Sequence, residues 1–209
     1  MNKKEHKIPC FCDNSFTVEV PEFIDLDASP QYLEEIINGT FLKFICPKCG
    51  KKHKPEFALS ILWPKNKVRF EVHCELDRRK FYLEKKGKNS KKEDITTETI
   101  IGYPELSDRL LVYRDKLEPA VVEAVKYFLY LKAEENYPEK EINIWYNGLS
   151  GDNLEFHIHG IKDGEAAVLT VPSSLYDKTL KDYKKNPKGE LFASLRVKTY
   201  LSVKNMMSR

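Results

Sequence analysis

Two close pairs of cysteines constrain this chain more than any other feature: Cys10-Phe11-Cys12 near the start, and Cys46-Pro47-Lys48-Cys49-Gly50 after 33 intervening residues. A thiolate is a soft, readily deprotonated ligand, and four of them suit tetrahedral zinc. In the second pair the two spacer residues let both sulfurs face one ion, and Gly50 lets the backbone fold beneath it. The single spacer between Cys10 and Cys12 is the weaker signal, because one intervening residue strains a two-sulfur chelate. Cys10, Cys12, Cys46 and Cys49 are therefore the expected ligands of one structural zinc ion. A strand, a helix and a returning strand in the interval would bring the pairs together. A redox use of Cys46 and Cys49 competes poorly, because a thioredoxin-like pair opens a long helix and Gly50-Lys51-Lys52-His53-Lys54-Pro55 does not propagate one. His53, four residues past Cys49, is the first reserve ligand, with His6 and Cys74 behind it. Cys74 lies in a strand-like run and reads as a packed core thiol.

The chain has 209 residues, enough for one or two domains with a real core. Its 41% hydrophobic and 32% charged residues describe a globular protein with a charged surface. A net charge of only +3 gives no global case for nucleic acid, so any such case rests on local clustering. No signal-like apolar run follows the N-terminal lysines, and no stretch approaches the roughly 20 apolar residues of a membrane span. Ala120 to Leu131, the most apolar segment, is broken by Glu123 and Lys126. The expectation is a soluble cytoplasmic protein, with no membrane partner, in which close cysteine pairs favour metal over disulfides.

Periodicity sets the elements. Alternation predicts a strand at 16–20, and Ser29-Pro30 with Gly39 brackets a helix whose stripe is Tyr32, Leu33, Ile36 and Ile37, Ser29 supplying the cap. Strands follow at 41–45, 57–63 and 68–73, then a short one at Ile100 and Ile101. Helices are predicted from Tyr103 and from Glu118-Pro119 to about Glu135, the second with a broad apolar face. Runs at 142–146, 154–161 and 166–171, separated by Gly- and Asp-containing turns, suggest an antiparallel meander. A polar helix spans 173–185, and 191–206 fits strand or helix equally.

Several of these residues resemble a known family. The two cysteine pairs, Asp27-Ala28-Ser29-Pro30, Ile37-Asn38-Gly39-Thr40-Phe41, and Arg114-Asp115-Lys116-Leu117-Glu118 before Val122-Glu123-Ala124-Val125-Lys126 are similar to the CpXC domain of bacterial and archaeal proteins. The resemblance covers residue 10 to about residue 135. It implies a zinc-ribbon-like fold with no activity attached. Cys10-Phe11-Cys12 departs from it, since the family name leads one to expect C-P-x-C there.

Residues 78–94 break the composition, with eight Lys or Arg against three acids, and are expected to form an exposed loop. Arg78, Arg79, Lys80, Lys85, Lys86, Lys88, Lys91 and Lys92, with Phe81 and Tyr82 among them, could contact single-stranded nucleic acid. His157 and His159 share a strand face and read as solvated. No phosphate loop, nucleophile elbow or H-E-x-x-H motif occurs. The sequence thus predicts an α+β chain in two parts: residues 1–138, a zinc-ribbon-like antiparallel β region with closing helices, and residues 139–209, smaller and β-rich. The expected role is a non-catalytic binding or scaffold protein with a protein partner. A nucleic-acid binder using 78–94, or an enzyme with a site between the two regions, are the alternatives.

Overall fold

The computed structural model describes residues 2–84 and 94–207. The chain is α+β, as expected, and divides into two compact units, Met1–Ser107 and Asp108–Arg209.

The first unit opens with a hairpin, β1 (Lys3–Pro9) and β2 (Ser15–Pro21), followed by β3 (Phe23–Asp25), α1 (Gln31–Ile37) and a second small hairpin, β4 (Phe44–Ile45) and β5 (Lys52–His53). Then come β6 (Leu59–Trp63), β7 (Val68–His73), α2 (Arg78–Leu83) and β8 (Thr96–Ile101). Strands β8, β7, β6 and β3 lie in that order, with β6–β7 antiparallel and both β7–β8 and β3–β6 parallel. Alternation does its work here: Leu59, Ile61 and Trp63 of β6 and Val68, Phe70 and Val72 of β7 are all buried, while the residues between them are half-exposed. Phe41 is 2% exposed, its ring edge-on to Tyr32 and tilted against Tyr103.

Three expectations change on inspection. The side chain of Ser29 does not cap α1; the backbone amides of Tyr32 and Leu33 bond the carbonyls of Ser29 and Pro30 instead. The strand expected at 41–45 shrinks to Phe44–Ile45, because the amides of Thr40 and Phe41 both close onto Glu35 O and Leu42 takes a positive φ of 49°. Residues Arg78–Leu83, expected as loop, form α2. Arg78 is drawn inward by the carboxylates of Glu75 and Glu105 and by Ile101 O, so it is engaged by the protein itself. Arg79 and Lys80 are exposed on the helix, whereas Lys85, Lys86, Lys88, Lys91 and Lys92 lie outside the described residues.

Helix α3 (Tyr103–Arg114) carries the boundary between units. The second unit continues with α4 (Pro119–Asn136), the antiparallel meander β9 (Asn143–Ser150), β10 (Asn153–His159) and β11 (Ala166–Pro172), and α5 (Ser173–Lys185). Gly160 ends β10 at φ +94°, where a Cβ would sit 1.9 Å from Glu141 O. The ambiguous 191–206 stretch resolves into α6 (Glu190–Ser194), a short hairpin of β12 (Arg196–Val197) and β13 (Tyr200–Leu201), and α7 (Lys204–Met207).

The charges that interrupted the apolar segment of α4 are buried at its centre. Asp108, Arg109, Glu123 and Lys126 are each 3% exposed. Lys126 Nζ lies 2.7 Å from both Asp108 and Glu123, and Arg109 Nη2 lies 3.3 Å from Glu123. The remaining bonds run to backbone: Tyr146 N donates to Asp108, Val203 N donates to Glu123, and Arg109 donates to Leu201 O. Two acids and two bases thus tie α3, α4, β9 and the C-terminal segment together with no net charge.

Candidate metal centre

Each cysteine pair sits at the tip of an antiparallel hairpin. The β1–β2 ladder closes at Pro9↔Ser15, leaving Cys10 to Asn14 as the turn. Cys10 N donates to Asn14 O at 2.8 Å and Asp13 N to Cys10 O at 3.0 Å. Asp13 takes a φ of +61°, which Asp tolerates better than most residues. The β4–β5 ladder closes at Ile45↔Lys52, and Cys46 N donates to Lys51 O while Gly50 N returns to Cys46 O, both at 2.9 Å. Gly50 has a φ of +72° with open space around it, so backbone conformation rather than crowding asks for glycine.

The two tips converge. The sulfurs of Cys10, Cys12, Cys46 and Cys49 all lie within 4.8 Å of one another. Two approaches cross from one tip to the other, 3.6 Å for Cys10–Cys49 and 3.7 Å for Cys12–Cys46. A Zn–S bond of about 2.3 Å places tetrahedral sulfurs about 3.8 Å apart, so these spacings match the edges of such a tetrahedron. They are far longer than the roughly 2.05 Å of a disulfide. The four cysteines are close enough to hold a metal ion.

Polar groups around the sulfurs suit negative charge. The side-chain amide of Asn14 points at Cys46 Sγ from 3.7 Å, and His53 Nε2 lies 3.2 Å from Cys10 Sγ. His53 is held by its place in β5 and by an edge contact with Phe16 at 5.7 Å. The first reserve ligand therefore stands beside the cluster, touching one sulfur, outside the mutual set of four. His6 instead packs on Phe57, and the Cys74 thiol donates to Glu56 O. The sulfurs of the cluster compete with one another for protons. The Cys12 amide pulls the Cys10 thiol down, but burial and the neighbouring sulfurs outweigh it and push it up to about 12. Burial raises Cys46, yet the amides of Cys49 and Lys48 and the Asn14 side chain bring it to about 6. Cys10 and Cys46 are buried, Cys12 is half-buried and Cys49 is exposed.

The other residues singled out in the sequence lie elsewhere in the fold. His157 shares its strand face with Glu155, 3.1 Å away, a carboxylate two residues back that the sequence reading passed over. No helix among the described residues is long and apolar enough to cross a membrane.

A curated protein of Treponema pallidum (strain Nichols), named "Uncharacterized protein", is 28% identical over 217 residues, covering 97% of this chain and 98% of its own length. No solved structure matches. The family described as "CpXC protein" matches residues 8–126, which takes in all four cysteines and both hairpins. With more than half of its length matched, the chain belongs to the CpXC family.

Proposed function

We propose that this protein is a non-catalytic binding module whose first unit is fastened by one zinc ion held by Cys10, Cys12, Cys46 and Cys49 in a zinc-ribbon arrangement. The observation that carries the reading is the pair of cross-tip sulfur distances, 3.6 and 3.7 Å, close to the tetrahedral edge expected of zinc thiolate. Four thiolates with no open position favour a structural over a catalytic role, since catalytic zinc keeps a site for water or substrate. The ion would join hairpins that share only a small apolar cluster, because metal binding to such a site is coupled to folding.

Metal analysis of protein purified without added zinc tests this directly. One zinc per chain is expected. A visible thiolate-to-iron absorption would mean that iron occupies the site. Cys10→Ser, Cys12→Ser, Cys46→Ser and Cys49→Ser should each lose zinc and melt earlier; stoichiometric zinc retained in all four would overturn the assignment.

A further inference from the structure

The tip that gathers the cysteines also gathers unpaired positive charge. From Ile36 to Pro55 the chain contains five lysines, namely Lys43, Lys48, Lys51, Lys52 and Lys54, and no acid. All five are exposed, and none has a carboxylate partner among the described residues. A zinc tetrathiolate carries two net negative charges, which the five lysines outweigh.

An aromatic ring stands within this charge. Phe11, the residue between Cys10 and Cys12, is 87% exposed, more than any other Phe, Tyr or Trp side chain among the described residues. Lys51 Nζ lies 4.2 Å from its ring centroid, and Lys48 reaches across to Cys12 O at 3.3 Å, so lysines of the second tip lie against the first. Both neighbours of Phe11 belong to the proposed metal set. A bound ion would therefore hold the ring in place before any partner arrives. Ile45, 61% exposed, adds apolar surface opposite Lys52.

We propose that this metal-clamped tip binds single-stranded nucleic acid, with Phe11 stacking on a base and Lys48, Lys51 and Lys52 neutralising the adjoining phosphates. The proposal rests on the metal reading, which supplies the rigidity of the tip. A single-stranded polyanion with planar bases uses both features at once, ring and ammonium side by side. An acidic peptide would use the lysines and leave Phe11 idle. A membrane would need a broader apolar face than Phe11, Ile45 and Pro47 provide among Lys48, Lys51 and Lys52. It uses none of the lysines of the basic run at 85–92.

Fluorescence anisotropy of the full chain with labelled oligo-dT and oligo-rU, with zinc measured on the same samples, tests the proposal. Affinity should fall with salt, with a log–log slope of about −2 when three phosphates are neutralised. Phe11→Ala should weaken binding about 5- to 100-fold, and Phe11→Trp should restore it, because the loss is of stacking. Lys51→Gln with Lys52→Gln should weaken binding and flatten the slope, while replacing Lys85, Lys86, Lys88, Lys91 and Lys92 should leave both unchanged. Zinc-loaded protein that fails to bind, or that binds equally with Phe11→Ala, overturns the proposal while leaving the metal reading intact. So does Phe11-dependent binding to phosphatidylserine vesicles in place of oligonucleotide, or loss of binding only in the 85–92 variant. Oligonucleotide binding by a zinc-free wild type that still depends on Phe11 would support the surface and refute the metal reading instead.

Discussion

Replacing Glu123 with Gln should be among the most damaging conservative changes available in this chain. Glu123 accepts bonds from Lys126 Nζ at 2.7 Å, Arg109 Nη2 at 3.3 Å and Val203 N at 2.7 Å, and its side chain is 5% exposed. Glu123→Gln keeps the volume but removes the charge, leaving two buried cations facing Asp108 alone. Breaking a buried ion network from one side costs about 3–5 kcal/mol, because the abandoned charge has no water to turn to. Set against a total stability of about 5–15 kcal/mol, that is a large share. At about 2–4 °C per kcal/mol for a chain of this size, the melting temperature should fall by roughly 6–20 °C. Trp145 is the tryptophan of the second unit, so urea unfolding followed by fluorescence in a Trp63→Phe background reports on this unit. Lys126→Met alone should also be costly, since it leaves two carboxylates with one guanidinium. The double variant restores the balance of charge, and should lose less than the sum of the singles by at least about 1 kcal/mol. A cost below about 1 kcal/mol for Glu123→Gln, or strict additivity, would refute the reasoning.

Two further outcomes follow from the same structure. Burial, ahead of the pull of Lys126, holds the Asp108 carboxyl up at about 6 against an ordinary 3.8, so the folded state takes up this proton before the unfolded one. Asp108 therefore adds stability as pH falls through 6, and between pH 8 and pH 5 wild type should gain about 1 kcal/mol on Asp108→Asn in urea unfolding. An unchanged gap would contradict it. At the cysteine tips, a ring nitrogen facing a metal-bound Cys10 thiolate would carry the proton and donate. His53→Phe should then speed zinc transfer to a chelator about 10-fold, whereas His53→Gln, which keeps an amide donor at similar reach, should stay near wild type. Equal rates in the two variants would remove His53 from the site.

Where one physical signal dominated, the sequence was legible. Strand β7 and helix α5 have the bounds that alternation and punctuation predicted, because one buried face or one pair of stop signals decides them. The four cysteines were legible because chelate spacing is a local property. What escaped depends on partners distant in sequence. Nothing in Lys3–Pro9, mostly charged and exposed, announces a strand until β2 is seen to pair with it. Glu123 and Lys126 read as interruptions of an apolar face, since their partner Asp108 and the backbone of Val203 become neighbours only on folding. Arg78 looked like loop charge because Glu105, 27 residues away, was not visible as its partner.

The same contrast explains what a metal ion at the hairpin tips would contribute. The second unit can hold its C-terminal segment by buried charge and by an apolar cluster built on Ala120, Ala124, Phe192, Leu195, Leu201 and Val203. The hairpin tips have no such resource. Their buried cluster is Ile8, Val18 and Val20, with Phe16, Leu42, Phe44 and Phe57 only partly covered. At about 1.5–3 kcal/mol for each fully buried aliphatic side chain, three residues offset little of the entropy of ordering two hairpins. Small structures of this kind usually need a staple, and the four converging sulfurs supply its ligands. A tip held by metal rather than by core would also be free to leave Phe11 in solvent, since its stability would not depend on burying that ring. Treatment with a chelator should accordingly expose the hairpin-tip thiols to a thiol reagent first, with loss of their protection as the signal, while Trp145 in the second unit keeps its native fluorescence. Simultaneous loss of both signals would mean that the ion stabilises more of the chain than its own hairpins.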